Sequence, residues 1–274
     1  MHEHKDVVVL SATRTAIGKY GGGLAAVPPC DLAATMVREA VRRAGVDPSE
    51  VGHAVFGQVI HTEARDMYLG RVAAVNGGLP VETPAVPLNR LGGSGLQAIV
   101  SAAQAIALGD CDVAVAGGAE SMSRAPYWLA GLRWGQRMGD GAAVDVLTAA
   151  LNDPFDGCHM GVTAENVAAG YDVSRADQDA LAAESHRRAA AAAAAGYFTG
   201  QITPVQVAGR KGTVTVDADE HIRPGVTADD LARLKPAFAK DGTVTAGSAS
   251  QISGGAIAVV VMSAEAAAER GAPV

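Results

Sequence analysis

The segment 89–98 holds the residues best suited to chemistry, and it reads Asn-Arg-Leu-Gly-Gly-Ser-Gly-Leu-Gln-Ala. Its glycines lie between an apolar strand pattern and an apolar helix pattern, so another group can approach the backbone closely there. The free N–H groups at the start of a helix favour negative charge. The segment is therefore predicted to bind or stabilise a phosphate, a thiolate or an oxyanion.

A dinucleotide site is one alternative, because residues 93–98 fit the pattern G-x-G-x-x-A. That pattern requires an acidic residue about 20 positions later, at the end of the next strand, to hold the ribose. Here Asp110 and Asp112 precede the next strand pattern, and Gly117-Gly118 follow it. The sequence therefore disfavours a nicotinamide site.

Ser94 has two interpretations. A hydroxyl at a helix start is a conceivable nucleophile, but no Ser/His/Asp set accompanies it in the sequence. Its spacing to Gln97 fits a capping box, in which the hydroxyl accepts a hydrogen bond from the backbone. We favour the cap.

Composition excludes several classes of protein. The 274 residues carry 22 basic and 29 acidic side chains, a net charge of −7, so a general nucleic-acid binder is disfavoured. Apolar residues make up 49% and aromatic residues 4%, which predicts a packed core of Ala, Val, Leu and Ile. The length predicts one or two domains.

The cellular setting is predicted from what the sequence lacks. Cys30, Cys111 and Cys158 are too widely spaced for a disulfide framework or a zinc site, which indicates a reducing compartment. No uninterrupted apolar run approaches the ~18 residues of a membrane span. The first residues, MHEHKDVVVL, do not form a signal peptide. We expect a cytoplasmic protein.

Strand and helix patterns alternate through the first 120 residues. The predicted strands are Val7–Leu10, Ala54–Val59, Pro84–Leu88 and Val113–Ala116, and the predicted helices are Asp31–Ala44, Asp66–Asn76 and Ser94–Leu108. This β-α order predicts an α/β fold with a mostly parallel mixed sheet covered by helices.

The middle of the chain differs in character. Residues 121–249 predict a mostly helical and irregular insertion, with one strong helix from Arg175 to Ala195 capped by Ser174. A strand pattern returns at Ala256–Met262. We therefore predict one α/β domain from residues 1–120 and 250–274, and a second domain from 121–249.

Six motifs, in order and at similar spacing, resemble the thiolases, the family of acetyl-CoA acetyltransferases and beta-ketothiolases. They are SATRTAIGKYGG (11–22), NRLGGSGLQA (89–98), AVAGGAESMSRAP (114–126), HMGVTAENVA (159–168), GRKGTVTVDADEHIRPG (209–225) and TAGSASQISGGA (245–256). The resemblance implies a thiolase-like layered fold in which the insertion is a CoA-binding loop domain. It implies formation or cleavage of acetoacetyl-CoA or another 3-ketoacyl-CoA, in lipid metabolism. No cofactor is implied, since CoA or acyl-CoA is the substrate.

The sequence departs from the family at the catalytic position. The family reads N-R/Q-L-C-G-S-G, with a cysteine that takes the acyl group from acyl-CoA, and this chain has Gly92 there. A thiolate at a helix start is the natural nucleophile for this reaction, and glycine has no side chain. Smaller departures are Ser248, where the family usually has Asn, and Gly254, where it usually has Asp.

A second departure concerns the family's C-terminal half. That half, which supplies the histidine and the second cysteine that manage protons, is expected to be absent from this sequence. Together with Gly92, its absence predicts that the chain alone does not turn over thioesters.

The resemblance assigns six residues to the CoA or substrate site. Arg223 would contact the nucleotide end with Phe238 packed nearby, Ala246 and Ser250 would hold the pantetheine amides, and His159 and Met160 would line the acyl end. Because CoA is an anion, a basic patch is also expected, and Arg210, Lys211 and Lys235 are candidates for it.

Each of these residues also has a purely structural interpretation. Arg223 could be a solvated surface charge, His159 a satisfied loop histidine, and Ser250 a residue that bonds within its own turn. Phe238 and Met160 could be core residues.

Two functions remain open. In the first, the chain is a thiolase-type enzyme with an altered nucleophile position, and another chain supplies the C-terminal half. In the second, it is a non-catalytic CoA-binding or interaction module derived from a thiolase. In either case the face that would pack on the C-terminal half should be apolar, which predicts homo-oligomers or a partner chain.

Overall fold

The computed structural model describes residues 5–209, 212–272 and 274, and these form two compact units. Unit 1 contains the described residues of 1–125, 201–220 and 253–274, and unit 2 contains 126–200 and 221–252. Residues 201–220, which the sequence pattern predicts to lie in the insertion, are part of unit 1. These residues belong to unit 1 because Val205 and Val216 pack into its core and Arg14 forms an ion pair with Asp219 at 2.7 Å.

Strands and helices alternate in unit 1. Its strands are β1 (Val7–Arg14), β2 (Gly18–Lys19), β3 (His53–Gly57), β4 (Ala85–Leu88), β5 (Val113–Ser121), β8 (Val205–Gly209), β9 (Gly212–Val216) and β10 (Ser253–Ser263). Its helices are α1 (Pro29–Ala44), α2 (Leu69–Asn76), α3 (Ser94–Leu108) and α8 (Ala264–Glu269). Unit 2 contains β6 (Tyr127–Trp128), β7 (Val144–Asp145), α4 (Val146–Ala150), α5 (Met160–Gly170), α6 (Arg175–Ala194) and α7 (Ala228–Ala232).

The main sheet of unit 1 has the order β1-β10-β5-β3-β4, with β2 paired to β10. Strand β3 runs parallel to β4 and β5, whereas β10 runs antiparallel to both β1 and β5. The sheet is mixed, as expected, but fewer pairs of adjacent strands are parallel than the β-α pattern predicts. The reason is that β10 follows the whole of unit 2 in sequence and lies between two strands from the beginning of the chain.

Helices cover both faces of this sheet. Because side chains alternate along a strand, Val113 and Val115 of β5 lie in the core beneath α1 and α2, while Ala114 and Ala116 lie in the smaller core beneath α3. Helix α1 contributes apolar side chains at helical spacing to the first core: Leu32, Met36, Val37, Ala40 and Val41. Helix α3 contributes Ala98, Ala102 and Ile106 to the second.

Helix α3 is strongly apolar, although its outer face is exposed to solvent. The stretch Leu91–Leu108 is long and apolar enough by composition to cross a membrane, with a mean hydropathy of 1.3, although Gly, Ser and Gln residues interrupt it. Its inner face packs on the sheet, and only 22% of the stretch is buried. Leu96 and Leu108 are 70% and 73% exposed on its outer face. The outer face of α3 is therefore an exposed apolar surface.

Unit 2 is built around α5 and α6. The Ser174 cap is confirmed, because its hydroxyl accepts a hydrogen bond from the Asp177 N–H at 3.1 Å. Arg175 in the first turn of α6 forms an ion pair with Asp179 at 2.7 Å and donates to the carbonyl of Leu231 at 2.6 Å. The first turn of α6 thereby fixes the segment around α7. A two-residue ladder between β6 and β7 was not predicted.

Candidate functional site

The turn that precedes α3 is closed by the Ser94 hydroxyl. Ser94 Oγ accepts a hydrogen bond from the Arg90 N–H at 2.9 Å and donates to the Leu91 carbonyl at 2.7 Å. The predicted capping box with Gln97 is wrong, since the N-cap is Gly93 and Gln97 accepts from the Arg90 guanidinium instead. Ser94 is 5% exposed, and its proton is engaged with a carbonyl. These contacts make Ser94 a structural residue of the turn.

The backbone of this turn is strained one residue before position 92. Leu91 has φ +47°, a left-handed conformation that costs a non-glycine residue about 1–2 kcal/mol. Asn89 stabilises it, because Asn89 Oδ1 accepts from the Leu91 N–H at 2.9 Å. The exposed position 92 follows Leu91 directly, at the start of α3.

Gly92 leaves room for a side chain. A Cβ atom built on Gly92 meets no atom within 4 Å, and its backbone is not in the left-handed region. Thus neither space nor backbone conformation requires glycine here. What the position lacks is a functional group.

The carboxyl ends of β3 and β5 approach the same helix start. A Cβ on Gly57, the last residue of β3, would lie 2.6 Å from Ser94 Cβ, so a residue other than glycine would push the strand away from α3. Near the end of β5, Glu120 accepts hydrogen bonds from the N–H groups of Val59 (2.8 Å) and Ile60 (3.3 Å). Burial raises the pKa of Glu120.

The described cysteines of unit 1 offer no replacement nucleophile at the start of α3. Cys30 is fully buried in α1 and donates to Asp66 Oδ1 at 3.3 Å, and burial with this hydrogen bond raises its thiol pKa to about 12. Cys111 follows the far end of α3, a helix about 22 Å long by its 15 residues. Burial also raises the pKa of Cys111.

In unit 2, His159 and Phe238 form a stacked ring pair with centroids 4.9 Å apart. His159 is the N-cap of α5, and its Nδ1 accepts from the Gly161 N–H at 3.0 Å. A Cβ on Gly161 would lie 2.2 Å from the Phe238 ring, so the ring packs directly on the backbone of the first helical turn. The neighbouring Met160 is 42% exposed, which excludes its interpretation as a core residue.

The loop that carries Ala246 and Ser250 is fastened to α5 and α6. Glu165 of α5 accepts from the N–H groups of Thr243 and Val244, both at 2.8–2.9 Å. Burial opposes the charge of Glu165, but these hydrogen bonds and one from the Thr243 hydroxyl lower its pKa. Gln178 of α6 also donates to the Thr243 hydroxyl at 2.9 Å.

Within that loop the departure at position 248 is accommodated. Ser248 Oγ accepts from the Thr245 N–H at 3.1 Å, so serine closes the turn through its own side chain. Ala246 and Ser250 are exposed. Glu165 and Gln178, which hold the loop, were not singled out from the sequence, because their partners are 65–78 residues away.

Arg223 lies beside His186, which no sequence motif singles out. The Arg223 N–H donates to His186 Nδ1 at 3.3 Å, which joins the HIRPG segment to α6, and Arg223 is exposed. Lys235 is also exposed, and Arg210 and Lys211 lie outside the described residues. Unit 2 therefore brings together His159 with Phe238, and Arg223 with His186.

Comparison with known families decides the relationship. The family model described as the N-terminal domain of thiolase matches residues 7–265. The chain belongs to the thiolase family. The beta-ketothiolase BktB of Cupriavidus necator is 61% identical over 268 residues, which are 97% of this chain and 68% of that protein. An acetyl-CoA acetyltransferase of Chromobacterium violaceum is 48% identical over the same shares.

Solved thiolase structures share the fold. The Bacillus anthracis acetyl-CoA acetyltransferase superposes with a TM-score of 0.96 at 42% identity, covering 100% of this chain and 69% of that one. Human mitochondrial 3-ketoacyl-CoA thiolase in complex with CoA superposes with a TM-score of 0.92 at 39% identity, covering 97% of this chain and 67% of that one. The chain thus has a thiolase fold and spans about two thirds of its relatives. The roles assigned to individual site residues stay predictions.

Proposed function

We propose that unit 2 of this thiolase-family chain binds CoA or acyl-CoA through His159, Met160, Arg223, Phe238 and the loop with Ala246 and Ser250. The stacked pair of His159 and Phe238 carries the proposal, since it presents a preformed apolar surface beside the exposed Met160. Glu165 fixes the loop that carries Ala246. A preformed site binds with less loss of conformational entropy than a mobile one. The human thiolase that holds CoA supports the same ligand class.

We further propose that the chain does not form an acyl-enzyme, because position 92 is glycine. Thiolase-type acyl transfer is the activity of the family, and it requires a nucleophile at the helix start that this chain lacks. The proposal rests on the missing thiol, since the space for a side chain is present. The alternative, a thiolase-type enzyme that works with an altered position 92, predicts turnover of acetyl-CoA above a control without protein.

Calorimetric titration with CoA tests the first proposal. Adenosine, which lacks the phosphates, is the control ligand, and we expect CoA to bind and adenosine not to bind. CoA at ~100 times its dissociation constant should also add about 2.7 kcal/mol to the free energy of unfolding. An absence of CoA binding would contradict the proposal.

Two pairs of variants locate the ligand. We expect Arg223→Ala to weaken CoA binding, more so at low salt, whereas Arg233→Ala, which removes another exposed cation of unit 2, should not. Phe238→Ala should also weaken binding, whereas Phe155→Ala, which removes a ring that is 93% exposed, should not. If the two variants of a pair weakened CoA binding equally, the first residue of that pair, Arg223 or Phe238, would no longer be assigned to the CoA site.

We also propose that the chain associates through the outer face of α3, with itself or with a chain that supplies the C-terminal half. Leu96, Val100 and Leu108 are 42–73% exposed on this face, and apolar surface of this kind favours association. Light scattering over a range of concentrations should show oligomers, and Leu96→Lys should reduce them. A monomer at all concentrations would refute self-association.

A further inference from the structure

A chain of hydrogen bonds connects the partly buried carboxylate of Glu120 to the turn that contains position 92. Glu120 accepts from the Val59 and Ile60 N–H groups, and the Val59 carbonyl accepts from Asn89 Nδ2 at 3.3 Å. Asn89 Oδ1 then accepts from the Leu91 N–H at 2.9 Å. Each link is a direct contact between described residues of unit 1.

The connection crosses three strand ends. Glu120 lies near the end of β5, Val59 follows the end of β3, and Asn89 follows the end of β4. These strands are parallel neighbours, so their carboxyl ends meet at one edge of the sheet, where α3 begins. The loop after β3 is thereby fixed on one side by β5 and on the other by the turn before α3.

The left-handed conformation at Leu91 is the feature that this connection maintains. Ser94 holds the turn from the helix side, through the Arg90 N–H and the Leu91 carbonyl. Asn89 holds the Leu91 N–H from the strand side. A non-glycine residue persists at such a φ only where its surroundings determine the conformation.

We propose that Asn89 and Glu120 are positioning residues that fix the backbone at Leu91 and so set the orientation of whatever group stands at position 92. The inference rests on the proposed function, in which position 92 is where the family carries its acyl-accepting thiol. Neither residue needs to touch substrate. Asn89 acts through Leu91, and Glu120 acts through Val59 and Asn89.

The test places a thiol at position 92 and measures its reactivity without CoA. In a Gly92→Cys background with Cys111→Ser and Cys158→Ser, the rate of alkylation by iodoacetamide is followed from pH 5 to 10 by intact mass. Cys30 is buried with a raised thiol pKa, so it contributes little. A thiol held at the helix start should react with an apparent pKa below the ordinary ~8.5.

Asn89→Ala is the main variant, because Asn89 is exposed and its removal leaves the core intact. We expect its pH profile to move upward by about one unit, which lowers the alkylation rate near pH 6.5 about tenfold. Asn89→Ser, whose hydroxyl can accept from the Leu91 N–H without adding a charge, should retain part of the reactivity. Asn76→Ala, an exposed asparagine at the end of α2, is the matched control and should change nothing.

Glu120→Gln provides an independent test, because glutamine has nearly the same shape as the glutamate that it replaces. One of its two acceptors becomes an NH₂ group facing a backbone N–H, so we expect a shift in the same direction, whereas the exposed Glu269→Gln should have none. Unchanged pH profiles in folded Asn89→Ala and Glu120→Gln would overturn the proposal. Failure of CoA to bind would leave these profiles unaffected, so the two proposals fail separately.

Discussion

Replacing Gly161 with alanine tests whether the Phe238 ring is held against the first turn of α5. The new Cβ would lie 2.2–2.4 Å from three ring atoms, well inside ordinary contact, so the ring has to move away and its stack with His159 is lost. Such overpacking costs about 1–3 kcal/mol and the lost ring pair about 0.5–1.5 kcal/mol. Alanine returns about 0.5–1 kcal/mol of helix propensity. We therefore expect Gly161→Ala to destabilise α5 by about 2 kcal/mol.

The matched control lies on the same helix. Gly170 ends α5, a Cβ built there meets no atom within 4 Å, and its φ is not left-handed, so Gly170→Ala should be neutral or slightly stabilising. Hydrogen exchange resolved by peptide is the appropriate assay, because two units need not unfold together. For Gly161→Ala, the amides of α5 should exchange about 30-fold faster than in the parent chain. Equal exchange in the two variants would refute the reasoning.

Three further predictions concern buried or bonded side chains. The pKa of Glu165 lies below its unfolded value, so the stability it provides is present above about pH 4.3 and is lost as pH falls through the lower folded value. The protection of the Thr243 amide, measured relative to its intrinsic exchange rate at each pH, should therefore fall in acid, and Glu165→Gln should remove that pH dependence. Asp66 is fully buried and accepts from the Thr62 N–H (2.7 Å) and hydroxyl (2.8 Å), so Asp66→Asn should cost about 1.5–3 kcal/mol in urea unfolding. If Asp66→Asn lowered the free energy of unfolding by less than about 0.5 kcal/mol, these hydrogen bonds would not be the stabilising contacts that the structure indicates. Finally, Cys30 should resist iodoacetamide in the folded chain and react fully in urea, and equal rates in both would contradict its burial.

The sequence predicted best the elements whose signals are local. The bounds Ser94–Leu108 of α3 are confirmed, because glycines precede the apolar run and Gly109, with φ +83°, ends it. The strand at 256–262 was also found, but not its place between β1 and β5. That place depends on pairing with residues more than 130 positions away, which periodicity does not encode.

In the candidate site, too, the residues in contiguous motifs were predictable and the contacts between distant residues were not. Its motifs identified position 92 and the segment around His159, because those residues form contiguous patterns, and the family resemblance added Phe238. The contacts that hold them were not predictable, since Glu120 reaches Asn89 only through the loop after β3, and Glu165 reaches Thr243 across 78 residues. The Ser94 capping box failed for a related reason. The Ser94 hydroxyl is hydrogen-bonded to the Arg90 N–H and the Leu91 carbonyl in the preceding turn, and not to the backbone of the first helical turn.

The central position of β10 also has a consequence for biosynthesis. Strands β1 and β5 emerge from the ribosome early, but the strand between them follows about 130 residues after the end of β5. At typical rates of translation this interval is on the order of ten seconds. During that time two apolar strand edges lack their partner, and exposed edges promote pairing with other chains. The nascent chain should therefore depend on chaperones until β10 closes the sheet.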